Sequence, residues 1–294
     1  MSSHRLSLLL VALTVAAEYN VVDYGVRPDG GADSAGAFLA AWGAACNDTR
    51  RYGSRPVLRM LAGRFLLSPA YFRGPCRSAG VVVAIDNNGT VFAPPAVDSR
   101  AWIMFHHADG VAIRGGTLDR QGQEYWRARR SSIAPGKVPG RECEAADAAR
   151  QQGIPHGPNT DGIHVSHSRH VSILNTTIGT GDDCVSLGPG TTDVLIRDIK
   201  CGPGHDISIG SLGWSTAQAM YSSGCRSATY HTRTSEGTSA TPVAVKFNCS
   251  GTNPCSGIKL NNISLTYKHR RPAQAKCGNA GRSTSGEVRP PSCF

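Results

Sequence analysis

Two acidic side chains and one imidazole in the middle of this chain share a single interval, and a third carboxyl adjoins them. Asp161, Asp183 and His205 stand 22 residues apart, and Asp182 adjoins Asp183. Carboxyls held close together resist ionising together, because each charge raises the pKa of its neighbours, so such a set keeps a proton near neutrality. A protonated carboxyl beside an ionised one is the pairing that hydrolysis of a glycosidic bond requires. Strict strand alternation would send Asp182 and Asp183 to opposite faces. Both can serve one site only at a bend or strand end, and Gly181 before them permits that. A lone Gly-Asp-Asp reads equally well as a surface turn; the periodic partners favour a site. His164, His167 and His170 invite a metal reading, but their spacing runs through a turn and their Asn, Ser and Arg neighbours supply no fourth ligand. No metal or other cofactor is expected.

The elements that position these groups follow from the same period. Ile163, Val185 and Ile207 are 22 apart, as are Val165, Leu187 and Ile209; Val171 and Ile173 match Val194 and Ile196 one residue later. Each unit is a strand, a Gly or Asn turn and another strand. It is too small to bury its apolar side alone, whereas stacked units build a continuous core. The match is an all-β, right-handed parallel β-helix with coils about 4.8 Å apart; a sandwich with chance spacing is the alternative. Upstream, apolar runs such as Val81 to Ile85 and Ile103 to Phe105, divided by Gly, Pro and Asn, read as further short strands. One amphipathic helix is predicted from Asp33 to Cys46, capped by Asp33 or Ser34, with Phe38, Leu39, Trp42 and Ala45 at helical spacing. It would cover the first open edge of the stack.

Composition agrees. With 40 % hydrophobic residues and 34 glycines in 294, the chain is neither disordered nor collagen-like. Leu/Glu/Lys runs that would build a helical bundle are absent. Residues 1–17 read as a signal peptide: His4 and Arg5, an apolar stretch from Leu6 to Val15 too short to span a bilayer, then small residues. The remainder, 18–294, reads as one secreted domain without a transmembrane segment, acting as a monomer. Ten cysteines without a CxxC pair suit an oxidising compartment. N-glycan acceptor triplets begin at Asn47, Asn88, Asn175, Asn248 and Asn262. The formal charge of +10, with seven Lys/Arg against Glu287 between Lys259 and Phe294, fits a polyanionic partner. Nucleic acid is not expected, since no helix or aromatic platform organises the cations; an acidic polysaccharide suits an exported chain.

Asn159-Thr160-Asp161-Gly162-Ile163-His164, Gly181-Asp182-Asp183-Cys184 and Gly202-Pro203-Gly204-His205 occur in order, followed by Ile207-Ser208-Ile209-Gly210-Ser211-Leu212-Gly213. With Asp23-Tyr24-Gly25, Gly74-Pro75-Cys76 and the block from Ala244 through Cys255, they resemble the plant polygalacturonases of glycoside hydrolase family 28. The resemblance covers nearly all of the chain after the signal, in blocks, and implies a pectin-lyase-like solenoid. It implies inverting hydrolysis of α-1,4-linked galacturonate in de-esterified pectin, exo-acting more than endo, without a metal. Asp182 would be the general acid, Asp161 and Asp183 would activate water, and His205 would keep the acid's environment in order. Asn159 and Gly204 would contact substrate. Cys184 would pair with Cys201, Cys249 with Cys255 and Cys277 with Cys293, while Cys46, Cys76, Cys143 and Cys225 stay unassigned.

Three departures stand out. Asp206 replaces the family's Gly after the histidine. The family's Arg-Ile-Lys, whose cations grip the substrate carboxylate, occurs nowhere; Arg226 and Arg233 lack its spacing, and Lys246, in a later block, is not expected to replace it. Only 32 residues separate Trp126 from Asn159, so coils are expected to be missing around 127–158 and 214–243. The expectation is an enzyme slower by at least about 100-fold than a complete relative, from two lost charge-assisted contacts. The alternative is an inactive pectin-binding member of the same family.

Overall fold

The structure, a computed structural model, describes residues 16–50, 55–94, 101–121, 161–204, 206–212, 230–239, 242–249, 255–267, 271–291 and 293. Its repeating unit is a strand whose alternate residues turn inward. Ile163, Val165, Val185 and Leu187 are buried, each at 2 % exposure or less, while half-buried His164 lies between two of them. A single residue in left-handed conformation bends the chain from one face to the next. Gly115 (φ 81°), Asn175 (φ 50°) and Asp198 (φ 56°) occupy this turn in successive coils, residue types that tolerate positive φ.

Three parallel stacks result. The first contains β1 (Glu18–Asn20), β3 (Val57–Met60), β6 (Val82–Ile85), β9 (Ala112–Arg114), β12 (Arg169–Leu174) and β15 (Thr192–Arg197). The second contains β2 (Asp29–Asp33), β4 (Gly63–Leu66), β7 (Gly89–Phe92), β10 (Thr117–Asp119), β13 (Thr177–Gly179) and β16 (Lys200–Gly204). Both meet at β18 (Tyr230–Ser239), which pairs in parallel with β20 (Cys255–Tyr267); β20 then pairs with β21 (Arg271–Pro272) and β23 (Ala280–Arg289). The third stack is β5 (Ala70–Arg73), β8 (Ile103–His106), β11 (Ile163–Ser166), β14 (Asp183–Leu187), β17 (Asp206–Leu212), β19 (Val243–Cys249) and β22 (Gln274–Gly278).

This is the right-handed parallel β-helix expected, and its register is the sequence period. Ile163 pairs with Val185 and Val185 with Ile207; Val165 pairs with Leu187 and Leu187 with Ile209. Val171 pairs with Val194 and Ile173 with Ile196. In the third stack β8 lies directly on β11, with Ile103 opposite Ile163, and β17 on β19, with Ile207 opposite Val245. Coil phase is thus kept across both stretches where the sequence is short. Segment 127–158 and most of 214–243 lie outside the described residues, as do 1–15, Cys143 and Cys225.

The helix α1 (Ala35–Cys46) packs at the first end, burying Phe38, Ala41, Trp42 and Ala45. Trp42 meets Phe72 and Phe105 edge-on, at 5.3 and 5.6 Å between ring centroids, carrying the core into the third stack. The helix starts two residues later than its sequence pattern suggests, because Asp33 is the last residue of β2. Its carboxylate accepts the amides of Ala35 (3.1 Å) and Ser68 (2.9 Å), so Asp33 caps the helix while Ser34 makes no side-chain cap bond. Three disulfides join described residues: Cys46–Cys76, which the sequence left open, and Cys184–Cys201 and Cys277–Cys293. The side chains of Cys249 and Cys255 lie outside the described set. Among the acceptor asparagines Asn47, Asn88 and Asn175 are exposed, whereas the side chains of Asn248 and Asn262 are not described.

Candidate active site

The carboxylates converge where β11 and β14 begin. Asp161 directly precedes Gly162 and Ile163, and the Gly162 amide donates to the Asp183 carbonyl at 2.8 Å, tying the two strand starts together. Gly162 permits this approach: a methyl group there would sit 2.8 Å from the Cys184 carbonyl oxygen and 2.9 Å from Ile178 Cγ2. Asp182 occupies a bend and Asp183 opens β14, which removes the alternation problem. Each of Asp161, Asp182 and Asp183 offers a carboxylate oxygen, and these oxygens all lie within 4.8 Å of one another. The Cys184–Cys201 bridge, buried at both ends, anchors the residue after Asp183 to the second stack.

Burial sets the electrostatics. Asp161 is 6 % exposed, against half-buried Asp182 and Asp183. Loss of water, then the charges of Asp183 and Asp182, hold the Asp161 carboxyl well above the ordinary carboxylate range; a hydrogen bond from Ser186 and one from the Asp183 backbone pull the other way and lose. Asp161 is therefore the member of the cluster that burial most strongly keeps from giving up its proton. The Ser186 hydroxyl also lies 2.8 Å from His164 Nδ1. Burial, reinforced by nearby His106, pushes the His164 imidazole down to about 4, so it is neutral at ordinary pH. His164, Ser186 and Ser208 form an outward row in direct register. They too stand 22 apart, a signal that could have found Ser186 and His164 in the sequence.

The outcome for the other expected residues is mixed. Asn159 and His205 lie outside the described residues, and Gly204 ends β16 opposite Ser239. The period alone would set position 205 opposite Asp183. An irregularity between Asp183 and Val185 takes up one residue, so the backbone partner of Asp183 is Asp206. The histidines of the metal reading separate: His170 pairs with Asp193 at 3.2 Å, while His167 packs on His106 and His107. Among the described residues the close set of possible metal ligands is the aspartate trio itself, a donor set suited to a hard cation.

Comparison with known proteins agrees with this arrangement. The sequence pattern of Glycosyl hydrolases family 28 matches residues 142–229. A polygalacturonase of Prunus persica is 33 % identical across the whole chain and 99 % of the relative. That alignment runs over 395 positions, more than the 294 residues here, so the relative carries residues without a counterpart in this chain. An exopolygalacturonase of Platanus acerifolia is 30 % identical over 92 % of this chain and 96 % of the relative. Among solved structures, the surface adhesin PfbA of Streptococcus pneumoniae superimposes with a TM-score of 0.51 at 14 % identity, over 86 % of this chain and 57 % of that one. That likeness is one of fold alone. By its identity to full-length relatives, and with the three carboxylates assembled on its third stack, the chain belongs to the polygalacturonases of glycosyl hydrolases family 28.

Proposed function

We propose that this protein hydrolyses the α-1,4 bonds of de-esterified galacturonan in pectin, outside the cell after loss of residues 1–17, and acts on chain ends. The observation that carries the reading is the aspartate trio, its carboxylate oxygens within 4.8 Å of one another and Asp161 buried among them. Asp182, in the bend and within reach of solvent, protonates the leaving oxygen. Asp183 takes the proton of the attacking water. Asp161, buried beside Asp183, helps to position and activate that water. The proton given to the leaving group is replaced by the one taken from water, so the trio holds the same number of protons before and after. His205 keeps the surroundings of the general acid in order, and Asn159 and Gly204 contact the sugar.

Two features bear on substrate grip. β19 follows β17 directly, so exposed Lys246 stands opposite Ser208 in the outward row that continues to Ser186, with Lys276 one strand farther on. Contrary to the expectation from its late block, this register supports Lys246 as the cation for the carboxylate of the reacting sugar, in place of the absent Arg-Ile-Lys. The carboxylate oxygens are closer than the roughly 6.5–9.5 Å between carboxyl groups usual for inversion. The nearest oxygens set only the lower limit of the gap, and inversion is retained here.

The direct test is release of reducing ends from polygalacturonate, with proton NMR reading the anomer formed first. Asp182→Asn and Asp183→Asn should each lower kcat far more than they raise KM. Near-normal kcat in either variant rejects its role, and an α-anomer as first product rejects inversion. Steady release of monomer with slowly falling viscosity supports exo action; an early fall in viscosity rejects it. Binding by the unaltered protein without any turnover would mark it as an inactive pectin-binding member, the reading that Asp206 beside Asp183 favours.

A further inference from the structure

At the helix-capped end of the third stack the outward face carries a group of side chains with no place in the mechanism. In β5, Ala70 and Phe72 turn into the core while Tyr71 and Arg73 face out, and Tyr71 is 40 % exposed. The Arg73 guanidinium lies 5.2 Å from the centre of the Tyr71 ring. Among the described residues no carboxylate pairs with it. The next strand adds His106, whose ring is 5.8 Å from that of Tyr71 and tilted 33° to it.

This group is in line with the carboxylates. Tyr71 pairs with Met104, Met104 with His164, and His164 with Ser186, whose hydroxyl bonds to Asp161. Arg73 pairs with His106 and His106 with Ser166 in the adjoining row. Only β8 lies between β5 and β11, so the two are two strand spacings apart, about 10 Å. A polymer lying across the strands at the site would pass over Tyr71 and Arg73.

We propose that Tyr71, Arg73 and His106 form a distal subsite for one uronate unit of the polymeric substrate. The inference rests on the reading of the chain as a galacturonan hydrolase and extends it to residues outside the carboxylate site. An aromatic ring with one face on apolar carbon and a polar tip suits the C–H face of a pyranose. A guanidinium beside it matches the planar carboxylate bidentately, and the ring holds it in place before binding. His106 closes the side toward the site, its Nδ1 held at 2.8 Å by Ser166 Oγ.

The test uses the full chain and measures retardation in native gels containing polygalacturonate. Arg73→Ala and Tyr71→Ala should each weaken binding about tenfold, as loss of a charge-assisted contact implies. Tyr71→Phe should bind within about twofold of the unaltered protein, and Arg73→Lys should fall between. Arg64→Ala removes an equal charge from the second stack, where Arg64 lies over Phe92 at 4.8 Å, and should leave binding unchanged. Kinetically, Arg73→Ala should raise KM for the polymer more than for the dimer, since a dimer on the carboxylates does not reach β5. Equal effects of Arg73→Ala and Arg64→Ala reduce the group to general charge and overturn the subsite, as does unchanged binding in Arg73→Ala. Binding that obeys these ratios without hydrolysis would overturn the enzymatic reading while leaving the subsite. No binding by the unaltered protein would overturn both.

Discussion

A buried carboxyl beside two others is costly to ionise, and Asp161 carries that cost for the site. The consequence for stability has a definite sign. A carboxyl whose folded pKa is raised binds its proton more tightly in the folded state, so stability falls as pH climbs from the ordinary carboxylate value through the raised one. Asp161→Asn should therefore raise Tm at neutral pH, and the gain should vanish near pH 3, where the folded and unfolded carboxyls are both protonated; thermal melts at the two pH values check this. The same substitution removes a buried neighbour whose charge, once formed, favours the protonated form of the general acid Asp182. The alkaline limb of the kcat profile should move to lower pH, on top of a loss of rate. An unchanged limb would show that Asp161 does not influence the ionisation of the general acid.

Strand ends, stacking and one bridge hold these carboxyls together. The Cys184–Cys201 disulfide joins the start of β14 to β16 across 17 residues of sequence, a loop for which closure is worth about 3 kcal/mol. Replacing both cysteines with Ser should lower stability by about that amount in urea melts and lower kcat as well, because the residue next to Asp183 loses its anchor. A fall in stability with kcat intact would show that β14 is held by its neighbours alone. At the other end, Asp33→Ala removes the acceptor for the Ala35 and Ser68 amides and should cost about 1 kcal/mol. Burial works to raise the Asp33 pKa, but these backbone bonds outweigh it and hold the carboxyl low. Its contribution is present above the ordinary carboxylate pKa and is lost as pH falls through the lowered value, so the Asp33→Ala penalty should shrink in acid.

For the molecule as a whole, continuous register across the short stretches decides where the cations fall. With β19 directly on β17, Lys246 enters the row that leads to the carboxylates. Lys246→Ala should lower kcat/KM on polygalacturonate by about tenfold or more, as loss of a charge-assisted contact implies. One lysine replaces an arginine and a lysine, so the unaltered chain lacks one such contact and should run about tenfold slower than a relative with the full motif, rather than the roughly 100-fold expected from losing both. Equal rates would show that other basic residues complete the grip.

Much of this was legible in the residues because a solenoid writes its register as a sequence period. Ile163, Val185 and Ile207 stack because each coil returns the chain to the same face after the same number of residues. Asp161 and Asp183 are brought together by that return. The period could not show the irregularity after Asp183, which depends on local backbone geometry and brings Asp206, rather than position 205, beside it. Nor could it show which carboxyl burial makes hardest to ionise: all three are aspartates, and only three-dimensional burial sets Asp161 apart from Asp182 and Asp183. The Cys46–Cys76 bridge was equally hidden, since cysteine spacing leaves pairing open until α1 is docked. Lys246 shows the same division. Its block was readable as a late segment of the chain, but stacking, which depends on which strand finds an open edge, decided that it lies in the row of Ser208 and Ser186.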